Sequence, residues 1–315
     1  YLYDWASVTL DDYGYWESAT YSSDNGGLSS SNSYVVTKAD EGKTIYVGVE
    51  YVDNEGHFTW SDSYDDVPAV EVSTGSNWVQ IGNDIDGEHP GDISGHAVKL
   101  SYDGSVVAIG APGNDDNGDH SGHVRIFENV GGLQKGDDID GQFNYDSLGE
   151  SLSISSDGNI VAVGAPGNDD NGDMSGQVRI FEFNYDSGGW QQIGQNINGE
   201  LAIDRAGFVT LSGDGSVVAI GAPGHDNNSG VVRVYRNIND NWVKIGSDID
   251  QGYENWDFFG HSTSLSSDGT ILAVGAPFQS GYSGVVRVYF DNNGNWDQIG
   301  SDIIGEATND YFGGS

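Results

Sequence analysis

The chain has 315 residues, with 49 acidic side chains against 11 Lys and Arg, which gives a formal net charge of −38 at pH 7. This charge repels nucleic acids and anionic membrane surfaces, so neither is expected as a partner. The absence of Cys excludes disulfides, thiolate metal sites and cysteine nucleophiles, and no apolar run is long enough to predict membrane insertion.

The first 70 residues differ in character from the rest. In the segment YVVTKADEGKTIYVGVEYVDNEG (34–56), Ile45, Val47, Val49 and Tyr51 alternate onto one face, which predicts a strand of a β-sandwich. The segment resembles the Ig-like modules strung along bacterial cell-surface proteins. That resemblance implies a small Ig-like β-sandwich over residues 1–70, followed by a linker at 71–77.

Residues 78–315 consist of tandem repeats of about 54 residues. The segment VAIGAP at Val107 returns as VAVGAP at Val161, VAIGAP at Val218 and LAVGAP at Leu272. A second marker, VRIF or VRVY, follows each copy, and a third, such as WQQIG at Trp190, follows the second. A further copy of the third marker, WVQIG at Trp78, precedes the first repeat. Three markers in phase establish a repeat protein.

Each repeat predicts four strands. A half-buried strand (95–101 in the first repeat) precedes an Asp-Gly hairpin such as Asp103-Gly104, and VVAIGAP then forms a buried second strand. HVRIFE forms the third strand and the Trp-containing marker a short fourth. This pattern favours an all-β fold with a four-stranded-blade β-propeller, comprising four complete blades and a partial fifth. A β-solenoid is the alternative.

The Gly-Ala-Pro copies, with FFG at 258–260 and YFG at 311–313, resemble the FG-GAP repeat family, the blade type of the integrin α-subunit propeller. The other repeats keep the Gly but lose the Phe. The resemblance covers residues 78–315. The family's calcium loop lies between the first strand and Gly-Ala-Pro, where this chain has two-residue hairpins, so those calcium sites do not carry over.

The loops between the second and third strands are the best candidates for a metal site. They read GNDDNGDHSG from Gly113 and GNDDNGDMSG from Gly167, with oxygen-bearing side chains at alternate positions, as in known Ca²⁺ loops. The candidate ligands are Asp115, Asn117, Asp119, Asp169, Asn171 and Asp173. The alternative is an ordinary Asx-rich turn.

Two further sets of residues recur. His96, Glu150 and His261 follow the first-strand glycine and are expected at the mouth of the central channel, as channel filling more than as a metal site. Each repeat also carries one arginine, namely Arg125, Arg179, Arg233 and Arg287. We expect these arginines to pair with carboxylates of the blades.

No nucleophile motif, phosphate-binding glycine loop or metalloprotease helix is present. We therefore expect a non-enzymatic extracellular or cell-surface module that binds protein or matrix, with self-association of chains as a further possibility. A glycan-binding lectin that uses Trp256 and Tyr253 is the second hypothesis, and an enzyme acting on polysaccharides is the third.

Overall fold

The computed structural model describes Gln80 and residues 82–128, 132–250 and 256–315, together with the backbone of four strands nearer the N-terminus. The chain divides into two compact units, Tyr1–Val79 and Gln80–Ser315. The predicted linker, most of the strand predicted at 78–82, and Tyr253 lie outside the described residues. Within them, no helix is long and apolar enough to cross a membrane.

The first unit contains one described antiparallel sheet. Its strands are β1 (Leu2–Leu10), β2 (Trp16–Tyr21), β3 (Thr44–Val52) and β4 (Phe58–Asp62), in the order β2-β1-β3-β4. The strand predicted from the alternation beginning at Ile45 is confirmed as β3. The Ig-like sandwich, which needs a second sheet, stays a prediction.

The second unit is a β-propeller whose described blades are four antiparallel sheets. The first strands of the blades are β5 (Ala97–Leu100), β10 (Ser151–Ile154), β15 (Phe208–Leu211) and β20 (Ser262–Leu265). The second strands are β6 (Val106–Ala111), β11 (Ile160–Ala165), β16 (Val217–Ala222) and β21 (Ile271–Ala276). The third strands are β7 (His123–Glu128), β12 (Gln177–Asn184), β17 (Val231–Asn237) and β22 (Val285–Asn292).

The fourth strand is longer than the sequence predicted. In the fourth blade it is continuous, as β23 (Asn295–Ile304), with a register shift opposite β22. In the other blades it is broken into two short pieces that pair with the same third strand: β8 (Leu133–Gln134) and β9 (Ile139–Asp140), β13 (Gly189–Gln192) and β14 (Ile197–Asn198), β18 (Trp242–Lys244) and β19 (Ile249–Asp250). Acidic residues such as Asp138 and Asp140 belong to this outer strand or to its break.

The first strands of successive blades lie side by side. Backbone hydrogen bonds join equivalent hairpin positions of neighbouring blades, from Tyr102 N to Ser156 O (3.0 Å), from Ser156 N to Gly213 O (2.7 Å) and from Gly213 N to Ser267 O (2.8 Å). Contacts of this kind turn the sheets about a common axis, as in a propeller and unlike the alternative solenoid.

The hydrophobic core lies between adjacent blades. Val161 and Val163 of β11 pack towards the first blade, whereas the intervening Ala162 packs towards the third. Similar clusters join the first blade to the second, the second to the third and the third to the fourth. Because successive residues of a strand point to opposite faces, each second strand is apolar on both sides and reads as a continuous apolar run.

The glycine of Gly-Ala-Pro marks the closest approach between blades. A Cβ on Gly221 would lie 1.9 Å from the carbonyl oxygen of Gly260, the glycine of the FFG segment in the next blade. The N–H of Gly260 donates to Gly275 O in its own blade (3.0 Å). The two glycine motifs are thus one interface, in which only a hydrogen fits between neighbouring backbones.

Two single helical turns, α1 (His225–Asn228) and α2 (Gln279–Tyr282), replace the acidic loop between second and third strands in the third and fourth blades. Both contain residues in the left-handed region, including Asp226 (φ 44°) and Ser280 (φ 57°).

Candidate functional site: the loop face of the propeller

Two sets of loops meet on one face of the propeller, which we call the loop face. The 2–3 loops join second to third strands (112–122, 166–176, 223–230, 277–284), and the 4–1 loops lead into the first strand of the next blade (87–96, 141–150, 199–207, 256–261, 305–314). Each 2–3 loop bonds to the following 4–1 loop, as in the hydrogen bond from Tyr145 N to Asp119 O (2.7 Å).

In the first blade, the structure brings two of the three predicted calcium ligands together. Asp115 accepts a hydrogen bond from His120 N (2.7 Å), and Asp119 accepts one from the Tyr145 hydroxyl and lies 3.0 Å from His120 Nδ1. The Tyr145 hydrogen bond, with help from His120, lowers the pKa of Asp119. Ligand atoms of Asp115, Asp119 and His120 lie within 4.8 Å of one another. Asn117 instead turns its amide nitrogen to Gly141 O (2.5 Å).

The second-blade loop repeats this turn without the histidine. Asp169 accepts from Met174 N (2.7 Å), where Met174 occupies the position of His120. Asn171 donates to Gly199 O (2.7 Å). Among the described residues, Asp169 and Asp173 belong to no cluster of three His, Asp or Glu side chains. Calcium in these two loops stays a prediction, and the side chains' observed roles are turn and inter-loop hydrogen bonds.

The 4–1 loops are built around a buried aspartate, such as Asp146. Its carboxylate accepts from the N–H groups of Gln142 (3.1 Å) and Phe143 (3.0 Å), and burial raises its pKa. The residues on either side of it, Tyr145 and Ser147, have left-handed φ angles of 65° and 55°. The same arrangement around Asp204 and Asp257 leaves an exposed apolar side chain, Ile203 or Trp256, just before the aspartate.

In the fourth blade this geometry assembles an aromatic patch, which sequence reasoning missed apart from Trp256. Phe278 and Tyr282 come from the 2–3 loop, Trp256 and Phe258 from the 4–1 loop before it, and Tyr311 from the 4–1 loop after it. The ring centroid of Phe278 lies 4.9 Å from the ring centroid of Phe258, 5.8 Å from that of Tyr282 and 5.5 Å from that of Tyr311. Trp256, at 64% exposed, lies 6.4 Å from Phe258. The sequence feature that could have indicated this patch is the 2–3 loop FQSGYSG, which has two aromatic residues and no acids.

The predicted channel residues line one cavity of about 580 Å³ between the first strands. His96 Nε2 lies 3.4 Å from Glu150 Oε1. His261 instead stacks on Phe208 at 5.1 Å and its Nδ1 lies 3.2 Å from Gly314 O. The three share the cavity, but within the described part of the chain none of them belongs to a cluster of three metal-ligating side chains.

The arginine of each blade makes a structural contact, but the predicted pairing with a carboxylate is not found in every described blade. Arg125 Nη1 lies 3.6 Å from Glu88 Oε1. Arg233 and Arg287 pair with Asp248 (3.0 Å) and Asp302 (2.7 Å) of their own fourth strands. Arg125 and Arg179 donate to the backbone carbonyls of Asp86 and Asp140 (both 2.5 Å). Desolvation lowers the pKa of Arg179, which is consistent with a buried role in packing the blades.

No protein-family model matches the chain, and no curated protein matches it. Among solved structures it is similar to hydrazine synthase of Kuenenia stuttgartiensis (15% identity, TM-score 0.47), covering 74% of this chain and 54% of that one. It is also similar to a putative 6-phosphogluconolactonase of Bacteroides fragilis (15%, TM-score 0.46, 95% and 77% covered) and to the β-propeller domain of the Trilobed protease of Pyrococcus furiosus (11%, TM-score 0.42, 67% and 59%). The chain spans about half the length of the hydrazine synthase chain. The likeness is one of fold.

Proposed function

We propose that this chain is a non-enzymatic, extracellular or cell-surface adhesion module of FG-GAP type, whose propeller binds a protein partner through the loop face. The observation that carries the proposal is the aromatic patch on the fourth blade. Contiguous exposed rings are uncommon on a soluble domain and mark interaction surfaces, where Trp and Tyr contribute most of the binding energy.

Charge favours a protein as the partner. The 2–3 loops of the first two blades expose acids on the same face, including Asp115, Asp119, Asp169 and Asp173. A protein surface with basic and apolar side chains complements acids and rings together, and its Lys and Arg can also stack on the rings. The extracellular location is supported by the resemblance of residues 1–70 to surface-protein modules.

A non-enzymatic role is supported by the structural contacts of the residues whose pKa values are shifted. Asp146 and Arg179, whose pKa values are shifted by burial, recur at equivalent positions in every described blade and hold loops or strands in place. Contacts that are repeated in every blade are typical of structural residues, whereas a catalytic centre is a single set of residues at one place in the fold.

Adhesion is tested with beads that carry the full chain, presented to surfaces coated with a basic protein, a neutral polysaccharide or an acidic polysaccharide. We expect attachment to the basic protein, reduced at least about tenfold by Trp256→Ala with Tyr282→Ala, because two central aromatic anchors are lost. Tyr102→Ala is the matched control, since Tyr102 is 91% exposed on an Asp-Gly hairpin, away from the loop face. Equal attachment by the double variant would show that the patch is not the binding surface.

A glycan is the second candidate, favoured by the exposed Trp256 ring, because flat aromatic faces can stack on sugars. In the same experiment, attachment to the neutral polysaccharide that depends on Trp256 would favour it over the protein partner. Release of reducing sugar from any of the polysaccharides would contradict a non-enzymatic function.

A further inference from the structure

A second group of ionisable residues lies in the first blade, around His123. This histidine begins β7 and stands opposite Asp140 of β9. Its side chain is 1% exposed, and neither ring nitrogen has a hydrogen-bond partner. A buried polar group left without a partner destabilises the folded state. A bound ligand that accepts a hydrogen bond from this imidazole, or coordinates it, would remove that cost.

Carboxylates surround the ring. His123 Nδ1 lies 3.7 Å from Glu88 Oε2 and 3.7 Å from Asp138 Oδ2. Asp116 joins Glu88 and His123, and Asp140 joins Asp138 and His123, in two groups whose ligand atoms lie within 4.8 Å of one another. A separation of 3.7 Å is too long for a hydrogen bond. It is close to the spacing of neighbouring ligands on a metal with bonds of about 2 Å, roughly 3 to 3.5 Å.

The charges of this group are poorly balanced. Arg125 Nη1 lies 3.6 Å from Glu88, and Arg179 reaches only the backbone carbonyl of Asp140. Four carboxylates bordered by two guanidinium groups have an excess of negative charge, which a divalent cation would balance.

In the second blade, the polar side chain equivalent to His123 finds hydrogen-bond partners within the protein. Gln177 replaces His123, and its amide donates to Asp170 Oδ2 (2.7 Å) and Asn198 Oδ1 (3.1 Å). The other substitutions also remove charge, since Gln142, Asn196 and Asn198 stand where the first blade has Glu88, Asp138 and Asp140. Four amides and one acid, Asp170, in the second blade thus correspond to one histidine and four acids in the first blade, which is the composition of a metal site.

We propose that the first blade binds one divalent transition-metal ion through His123 Nδ1 and carboxylates of the group Glu88, Asp116, Asp138 and Asp140. Imidazole with carboxylates suits Zn²⁺ or Mn²⁺, whereas Ca²⁺ takes oxygen ligands alone. The ion joins the outer strand of the blade to its 2–3 loop and to the preceding 4–1 loop. This site includes none of the six predicted calcium ligands, although Asp116 lies in the first calcium loop, and it does not depend on the adhesion function.

The test is calorimetric titration of the metal-free full chain with Zn²⁺, in excess Ca²⁺ to occupy acids that bind cations without selectivity. We expect one strongest site, weakened at least about tenfold in His123→Gln. His123→Gln reproduces Gln177 of the second blade, so the fold has a precedent for it. Asp138→Asn, which reproduces Asn196, changes a partly exposed position and should weaken the same site.

His120→Gln is the matched control, since this exposed histidine lies in the same blade beside other acids. It should leave the strongest site unchanged. The proposal is overturned if the wild-type chain shows no Zn²⁺ site above the background of weak binding, if folded His123→Gln binds as tightly as wild type, or if His120→Gln removes the strongest site.

Discussion

At the scale of single residues, the aspartate of each Asp-Gly hairpin has a local electrostatic role. Asp103 accepts hydrogen bonds from Ser105 N (2.9 Å), Ser105 Oγ (2.7 Å) and Ser101 Oγ (2.8 Å). These bonds lower its pKa from 3.8 to about 2. The pKa values of the equivalent residues Asp157, Asp214 and Asp268 are lowered by similar serine, threonine or asparagine contacts. The recurring Ser-x-Asp-Gly sequence is thus a hairpin whose turn is tied by an ionised carboxylate.

We predict that Asp103→Asn lowers the free energy of unfolding at pH 7, because the amide keeps an acceptor but loses the charge. A carboxylate whose pKa is depressed on folding stabilises the fold above its unfolded pKa of 3.8, and this contribution is lost as the pH falls through about 2. The difference between variant and wild type should therefore shrink below pH 4. Urea unfolding of both proteins from pH 7 to pH 3 measures it, and a difference that grows towards low pH would contradict the assignment.

The predicted calcium loops also belong to this scale. If Ca²⁺ binds there, calorimetric titration should show one site fewer for Asp115→Asn and one fewer for Asp169→Asn, since each substitution removes a charged ligand. Asparagine keeps an acceptor for the N–H of His120 or Met174, so the turn is preserved. Asp103→Asn, in a hairpin too short to surround the ion, should leave the stoichiometry unchanged. Unchanged stoichiometry in both loop variants would refute the placement.

At the scale of elements, the interface between blades rests on paired glycines. We predict that Gly221→Ala lowers the free energy of unfolding by about 3 kcal/mol or more, because its Cβ would meet the backbone of Gly260 at 1.9 Å and the blades must separate. Gly189→Ala is the control, since a Cβ there meets nothing within 4 Å. Urea unfolding compares the two, and comparable losses would show that the effect is not one of blade spacing.

The blades were predictable because their signals are local and repeated. VVAIGAP is apolar along its whole length, and the Asp-Gly turns and VRIF strands recur in phase, so strand order followed directly. The second half of the outer strand was missed. Pieces such as Ile139–Asp140 contain two residues and one apolar side chain. A strand this short is too short to show an alternating hydrophobic pattern in the sequence.

The loop face was predictable only in part, because its contacts join residues far apart in sequence. The oxygen spacing of the 2–3 loops is visible in the sequence, but the orientation of Asn117 and Asn171, which direct their amide nitrogens to the next loop, is not. Likewise Trp256, Phe278 and Tyr311 lie on three separate loops. They form one patch only because each 2–3 loop packs on the 4–1 loops around it.

At the scale of the whole molecule, several of the few cations that the structure describes are buried inside the blades. Arg125, Arg179 and Arg233 are buried, and buried Lys135 donates to Asn159 Oδ1 (2.8 Å) with its ammonium 4.8 Å from the Phe183 ring centroid. These groups neutralise acids internally. Among the described residues, burial also removes Asp92, Asp146, Asp204 and Asp257 from solvent, so the surface keeps the acidic excess of the composition. The self-repulsion of this surface opposes compact folding.

We therefore predict that NaCl stabilises the full chain against urea. Most of the gain should come between 10 mM and 100 mM salt, where the Debye length falls from about 30 Å to about 10 Å and repulsion across the surface is screened. KCl should act as NaCl does, whereas CaCl₂ or ZnCl₂ at matched ionic strength should raise the urea midpoint further if ions occupy specific sites of the folded state. A midpoint that falls as NaCl is added would mean that the ion pairs of the blades outweigh the repulsion between surface acids.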